Sequence, residues 1–94
     1  MIEWTRQAIL QLEQARDYIS LAKGDDVAER ITLQILNHID QLERFPMSGR
    51  TGRVPETREL VISGTPFIAA YAIDQTRIVI LALYHGAQKW PGIL

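Results

Sequence analysis

The first half of the chain carries apolar residues at helical spacing. One stripe predicts a helix over residues 6–22, and its members are Ile9, Leu12, Ala15 and Ile19. Thr5 stands just before it, where a threonine hydroxyl can accept from a free N–H of the first turn. A second stripe predicts a helix that ends near residue 44, and its members are Val27, Ile31, Ile35, Ile39 and Leu42. Pro46 ends this helix, because the residue before a proline avoids helical backbone.

The segment between the two stripes is short and polar. Gly24 suits the left-handed backbone that ends a helix, and Asp25 or Asp26 suits the cap of the next one. Because the connection is so short, we expect the two helices to pack as an antiparallel hairpin.

The second half has the pattern of β-strands. After a polar loop over residues 47–57, three apolar runs follow at residues 58–63, 67–73 and 77–84, and short turn sequences separate them. They predict a three-stranded antiparallel meander. Ile2 and Trp4 predict a further short strand at the start, and residues 85–94 predict an irregular tail. The predicted fold is α+β with the order β-α-α-β-β-β, a single domain over residues 1–94 in which the helix hairpin packs on a small antiparallel sheet.

Composition narrows the class of protein. The chain has 94 residues and no cysteine, which excludes disulfides, thiol nucleophiles and thiolate metal sites. Its first residues lack the pattern of a secretory signal, and its longest apolar run is too short to cross a bilayer. We therefore expect a cytoplasmic protein without membrane contact.

Charge is divided unevenly between the two halves. Residues 1–43 hold four basic and eight acidic side chains, whereas residues 44–94 hold six basic and three acidic ones. A cationic second half favours an anionic partner, although a surplus of this size is also common in proteins without one.

The motifs of several enzyme classes are missing from the sequence. His38 and His85 lie far apart, and the GRTGR segment follows a helix rather than a strand, which excludes a phosphate-binding loop. No nucleophile-elbow motif surrounds a serine. We therefore expect no metal ion and no cofactor.

Two groups of residues carry candidate chemistry. A set of arginines, with Glu56 among them, lies on or beside the polar loop, where forked guanidinium groups can bind phosphates: Arg44, Arg50, Arg53 and Arg58. His85 follows Tyr84 at the end of the last strand, and histidine is the natural acid or base near neutral pH. The alternatives are a solvated arginine loop, a strand arginine that points inward, and a histidine that caps the sheet.

The second half resembles the RelE/ParE superfamily of bacterial toxins. The blocks that carry the resemblance stand in the expected order and spacing, and they are Phe45-Pro46, Gly49-Arg50, Thr57-Arg58-Glu59-Leu60-Val61, Phe67-Ile68 with Tyr71, and Leu83-Tyr84-His85-Gly86-Ala87-Gln88 with Trp90-Pro91. The helix pair and the tryptophan-bearing first strand agree, so the resemblance covers nearly the whole chain. The superfamily's fold is also the β-α-α-β-β-β order predicted above.

The resemblance implies a toxin that a cognate antitoxin protein silences by covering its working face. Operator DNA would be bound only through the antitoxin. The superfamily has two target branches: RelE-like members cut mRNA on the ribosome without a metal ion, and ParE-like members block DNA gyrase. In the nuclease branch, the catalytic residues would be His85, Arg58 and Lys89. Residues for contact with nucleic acid or another target would be Arg50, Arg53, Tyr71, Tyr84 and Trp90.

We favour the gyrase-directed branch. Ribosome-dependent nucleases of the superfamily are usually strongly basic because they contact phosphates, whereas this chain has a net charge of −1. Gln88 also stands near a position where many relatives carry an arginine. The nuclease branch stays open, since His85 and the arginine loop are expected at one end of the sheet. A relative that has lost toxicity and only binds antitoxin is the third alternative.

Overall fold

Two helices pack against one face of a sheet in the computed structural model, which describes residues 1–87. In chain order the elements are β1 (Ile2–Trp4), α1 (Arg6–Lys23), α2 (Asp25–Asp40), a 3-10 turn (Gln41–Glu43), β2 (Arg50–Thr51), β3 (Arg58–Val61), β4 (Phe67–Asp74) and β5 (Arg77–His85). The predicted α+β class and the helix hairpin are confirmed. Within residues 1–87, neither helix combines the length and the apolarity needed to cross a membrane.

The sheet is larger than the predicted meander. Its strand order is β1-β5-β4-β3-β2, and the antiparallel β3-β4-β5 core is the one that the apolar runs predicted. The expectation of a purely antiparallel sheet is wrong, because β1 pairs parallel to β5, with Ile2 opposite Ile78. The expectation of a loop over residues 47–57 is corrected in part. Arg50 pairs with Glu59 in the sheet, so the short strand β2 forms the edge of the sheet opposite to β1.

Helix α1 starts as predicted, but one member of its stripe points outward. The Thr5 hydroxyl accepts from the backbone N–H of Ala8 over 3.1 Å. Ala8 and Ile19 are buried, whereas Ile9 is 47 % exposed. Consecutive helical residues are turned about 100° from each other, so Ala8 takes the core position and Ile9 faces away from it.

The junction of the helices differs from the expected cap. Gly24 adopts a φ of +99°, a conformation that favours glycine, and itself occupies the cap position of α2 without a side-chain bond. Neither Asp25 nor Asp26 is the cap, which corrects the prediction. The Asp25 carboxylate accepts instead from the Ser20 hydroxyl. Both aspartates lie in the first turn of α2, where the helix dipole favours negative charge.

Helix α2 ends at Asp40, earlier than the predicted residue 44. Beyond it the chain tightens, and the backbone N–H of Arg44 donates to the Gln41 carbonyl over 3.0 Å. Ile35, Ile39 and Leu42 are all buried, so the predicted stripe continues through the tighter turn into the core.

Apolar residues cover both faces of the sheet. The larger cluster lies on the side of the helices, which we call the helix-side face, and includes Ala8, Ile19, Ala28, Ile35, Ile39, Leu42, Ile62, Phe67, Ala69, Tyr71, Ile78, Ile80 and Leu83. The smaller cluster lies on the opposite or outer face and consists of Ile68, Ala70, Ala82 and Tyr84, with Val54 and Leu81 packed against it. This division decides where each candidate site residue lies.

Candidate functional site

A register shift in the sheet sets the positions of the last strand residues. Ala70 is opposite Ala82, but Tyr71 is opposite Ile80, so Leu81 is an extra residue in β5. Side chains alternate between the faces of a regular strand, and this insertion reverses the alternation beyond Leu81. Tyr84 therefore belongs to the outer face, and the next residue, His85, to the helix side.

A buried carboxylate organises the arginines of the outer face. Glu59 is only 2 % exposed, and one of its oxygens accepts from Arg50 Nε and Nη2 over 3.2 and 3.1 Å. The other oxygen accepts from the backbone N–H of Arg53 over 3.2 Å. The Arg50 side chain remains 55 % exposed while paired. We call Glu59, Arg50, Arg53 and Tyr84 the outer-face cluster.

Tyr84 is the buried aromatic member of the outer-face cluster. Burial raises the pKa of its phenol, and the Glu59 carboxylate raises it further, while Arg53 and Arg50 oppose the rise. The phenol is therefore neutral near pH 7. Because the residue is 2 % exposed, its ring has no free face on which a nucleic-acid base stacks in this conformation.

Arg58 and Tyr71 both hold the segment that follows the 3-10 turn. The Tyr71 hydroxyl donates to the Pro46 carbonyl over 2.7 Å and accepts from the Gly49 N–H over 2.9 Å. Arg58 Nε donates to the Gly49 carbonyl over 3.0 Å, and its Nη2 donates to the Met47 carbonyl over 3.3 Å. Tyr71 is fully buried, so the target contact that the resemblance implied for it conflicts with this placement. Both side chains bind backbone of their own chain.

His85 lies on the helix side of the sheet, on the face opposite to that of Arg50 and Arg53. Its ring meets Phe67 edge to face, with ring centroids 6.0 Å apart. Its Nδ1 accepts from the backbone N–H of Ala87 over 3.0 Å. The expected convergence of His85 with the arginine loop is therefore not seen, because Arg50 and Arg53 belong to the outer-face cluster.

An open groove of about 870 Å³ lies between α1, the start of α2 and the ends of β4 and β5. Its apolar lining includes Tyr18, Ile19, Val27, Ile31, Phe67 and Leu83. Lys23, Arg30 and His85 add cationic or protonatable groups, and no lining residue in the described part of the chain is acidic. The groove therefore suits an apolar segment that also carries negative charge.

The sequence indicated some of these positions and missed others. Glu59 had no predicted role beyond its place in one block of the resemblance, although its charge, opposite to that of Arg50, is the signal that links the two residues. The groove residues Lys23 and Arg30 carried no motif at all. Lys89 and Trp90, both predicted site residues, lie outside the described residues. Among residues 1–87, no three His, Asp or Glu side chains are grouped closely enough to hold a metal ion.

Comparison with known proteins gives one consistent result. Residues 2–90 match the profile of a family described as ParE toxin of type II toxin-antitoxin system, parDE. The chain is 39 % identical over 94 residues to a Sinorhizobium fredii protein named "Putative toxin Y4kP", an overlap of 99 % of this chain and 95 % of the relative.

Solved structures share the fold, among them two chains from toxin–antitoxin systems. The first is a chain of the chromosomal ParDE TA system from P. aeruginosa, with a TM-score of 0.83, 26 % identity, and coverage of 89 % of this chain and 92 % of that one. The second is a chain of the intact E. coli RelBE toxin-antitoxin complex, with a TM-score of 0.60, 9 % identity, and coverage of 95 % and 98 %. At this low identity, the second likeness concerns the fold alone.

Proposed function

We propose, from the premise that this chain belongs to the ParE family of type II toxin–antitoxin toxins, that it arrests growth by binding DNA gyrase and that a cognate antitoxin neutralises it. It acts in the cytoplasm as a single domain, without a cofactor. Operator DNA is contacted through the antitoxin and not by this chain.

The separation of His85 from the arginines is the observation that carries this proposal. A metal-independent nuclease needs a base, an acid and phosphate-binding cations around one scissile bond. Here His85 lies on the helix side, whereas Arg50 and Arg53 lie in the outer-face cluster. Arg58 already donates to two carbonyls of its own chain. This arrangement favours a toxin that binds its target over one that cleaves RNA.

Family membership supports the same choice of target. The match covers residues 2–90 and is to a ParE family, and the TM-score is 0.83 to a ParDE chain against 0.60 to a RelBE chain. The ribosome-dependent nuclease is the second candidate, favoured only by the exposed guanidinium of Arg50.

The groove between α1, α2 and the ends of β4 and β5 is the surface that we assign to the antitoxin. It combines apolar walls with Lys23, Arg30 and His85, and acidic residues are absent from its described lining. An amphipathic helix whose polar edge carries carboxylates complements it, with an apolar face laid along the groove. Such binding holds the antitoxin on the toxin, and the remainder of the antitoxin then blocks access to the target.

The test is a supercoiling reaction with relaxed plasmid, ATP and purified gyrase, to which the full chain is added after release from its antitoxin. We expect supercoiling to be inhibited and then restored by the antitoxin. A parallel translation reaction, followed by primer extension on the reporter mRNA, should show intact message. Discrete cuts that require ribosomes, with normal supercoiling, would contradict the proposal and support the nuclease.

His85→Ala separates the two mechanisms within the same chain. Removal of a general acid or base lowers the rate of a catalysed step by about 10²–10⁴-fold. We expect growth arrest by His85→Ala, measured without antitoxin, to match that of the wild type. Normal growth of cells that express the wild-type chain alone would instead support a relative that has lost toxicity.

A further inference from the structure

Two large apolar side chains stand exposed on either side of Pro46. Phe45 is 60 % exposed and Met47 is 63 % exposed, and Arg44 alone stands between them and the 3-10 turn. Neither contributes to the two buried clusters of the sheet. We call residues 45–47 the apolar turn. Large apolar groups that stay exposed two residues apart in the chain are candidates for a protein contact site, because water contact with them is unfavourable.

The backbone of the apolar turn is fixed from two strands. Tyr71 bonds to Pro46 and Gly49, and Arg58 bonds to Met47 and Gly49. A Cβ added at Gly49 would lie only 2.6 Å from the Tyr71 hydroxyl oxygen, so this approach requires glycine. A turn held in this way presents its side chains without the entropy cost that ordering a loop would add on binding.

One positive charge without an ion pair borders the apolar turn. Arg44 precedes the turn, is exposed, and forms no ion pair within residues 1–87, whereas Arg50, which follows it, is half exposed and already paired with Glu59. The nearest acidic neighbour in sequence, Glu43, is paired with the N-terminal amine over 2.9 Å. The charge therefore complements an apolar pocket that is bordered by carboxylates.

The apolar turn is separate from the groove. Ile31 lines the groove, and Asp40 ends α2 just before the 3-10 turn. Asp40 lies nine positions beyond Ile31 along the helix, which at 1.5 Å per residue is about 14 Å. A family member that must bind both an antitoxin and a target can therefore use different ends of α2.

We propose that the apolar turn is the surface with which this toxin grips its target protein. Phe45 and Met47 enter an apolar pocket of that protein, and Arg44 meets carboxylates at its rim. This inference rests on the proposed function, in which the target is a protein, and it adds the surface that is used.

The test compares the double variant Phe45→Ser, Met47→Ser with the single variant Leu33→Ser. Leu33 is 53 % exposed on α2, so it controls for loss of surface apolarity. All three substituted residues are exposed, and circular dichroism should show unchanged folds. We expect the double variant to lose growth arrest and to need at least about tenfold more protein to inhibit gyrase, as for loss of interface hot spots. The Leu33 variant should match the wild type.

Tyr71→Phe tests the fixed backbone separately from the side chains. It keeps Phe45 and Met47 but removes both bonds of the hydroxyl. We expect a variant that folds and inhibits less than the wild type but more than the double variant.

Each outcome separates the inference from the proposed function. Growth arrest equal to wild type in the double variant overturns the inference, whatever the target is. Loss of antitoxin affinity with retained toxicity, measured by calorimetry, also overturns it, as does loss of self-association alone in sedimentation. A wild type that arrests growth without inhibiting gyrase contradicts the gyrase target, while the growth assay still decides the role of the turn. A wild type that arrests nothing overturns both.

Discussion

Arg58 and Tyr71 lie opposite each other in the β3–β4 ladder, and both side chains reach the same segment, residues 46–49. Together they make four hydrogen bonds to three backbone residues there. The resemblance placed Arg58 among the catalytic candidates of the nuclease branch and Tyr71 among the candidates for target contact. In the structure, they fix the position of a neighbouring turn, and we assign them that positioning role.

Tyr71→Phe should destabilise the chain although it keeps the ring. Gly49 is buried, and removal of the Tyr71 hydroxyl leaves its N–H without an acceptor. The same change leaves the Pro46 carbonyl without its donor. We expect a loss of about 1–3 kcal/mol in the free energy of unfolding, measured by urea denaturation. Tyr18→Phe is the control, because Tyr18 is 73 % exposed. Equal effects of the two variants would contradict the assigned role.

Arg50→Ala should cost more stability than Glu59→Gln. Among residues 1–87, the first change leaves the buried carboxylate with the Arg53 N–H as its remaining donor, whereas the second removes the charge and keeps an acceptor. Since Arg50 is half exposed and water can replace part of its contact, we expect losses of about 2–3 and about 1 kcal/mol.

A double-mutant cycle checks that the two losses arise from one contact. The variant that combines Arg50→Ala with Glu59→Gln should be more stable, by about 1 kcal/mol, than the sum of the two single losses predicts. Arg53→Ala is the control, because Arg53 reaches Glu59 through its backbone, and its loss should stay within about 0.5 kcal/mol. Full additivity would show that the ion pair contributes nothing.

Tyr84 should make the folded chain lose stability at alkaline pH. Its pKa is raised in the folded state, first by burial and then by Glu59, so the folded chain keeps a proton that the unfolded chain releases. The contribution is complete below the unfolded pKa of about 10 and is lost as pH rises through the higher folded value. Urea denaturation over a pH series should show the wild type falling relative to Tyr84→Phe. If the free energies of unfolding of the two chains fell in parallel with pH, the assigned effect of Tyr84 would be contradicted.

The sequence predicted those elements that bury an apolar stripe. The stripe of α2 and the three apolar runs are periodic, and periodicity reflects which side of an element meets the core. β2 had no such signal, because Arg50 and Thr51 are both exposed and their pairing follows from the contact with Glu59. The direction of β1 was equally hidden, since three residues do not distinguish a parallel from an antiparallel edge.

The site was less predictable because one inserted residue decides its faces. Without Leu81 as an extra residue in β5, alternation would place His85 on the outer face, beside Arg50 and Arg53. No turn residue or glycine marks this position in the sequence. The types of candidate residue were therefore predictable, whereas the separation of His85 from the arginines depends on the register of the folded sheet.

Charge reversal in the groove should weaken antitoxin binding without altering the fold. Lys23→Glu with Arg30→Glu turns a cationic rim into an anionic one, facing a partner segment that we infer to be acidic. We expect the Kd for the cognate antitoxin to rise by about tenfold or more at low salt, which corresponds to about 1.4 kcal/mol, and the effect to shrink as salt is added.

The matched control for the groove is Arg6→Glu with Arg16→Glu. It makes the same change of net charge at two exposed positions of α1 that do not line the groove. Calorimetric titration of the wild type and both variants at two salt concentrations compares local with overall charge. If both variants weaken binding equally, the attraction depends on the net charge of the chain, and the antitoxin does not bind through the charged residues of the groove. A groove-specific loss instead places the acidic segment along Lys23 and Arg30, at the end of α2 opposite to the apolar turn.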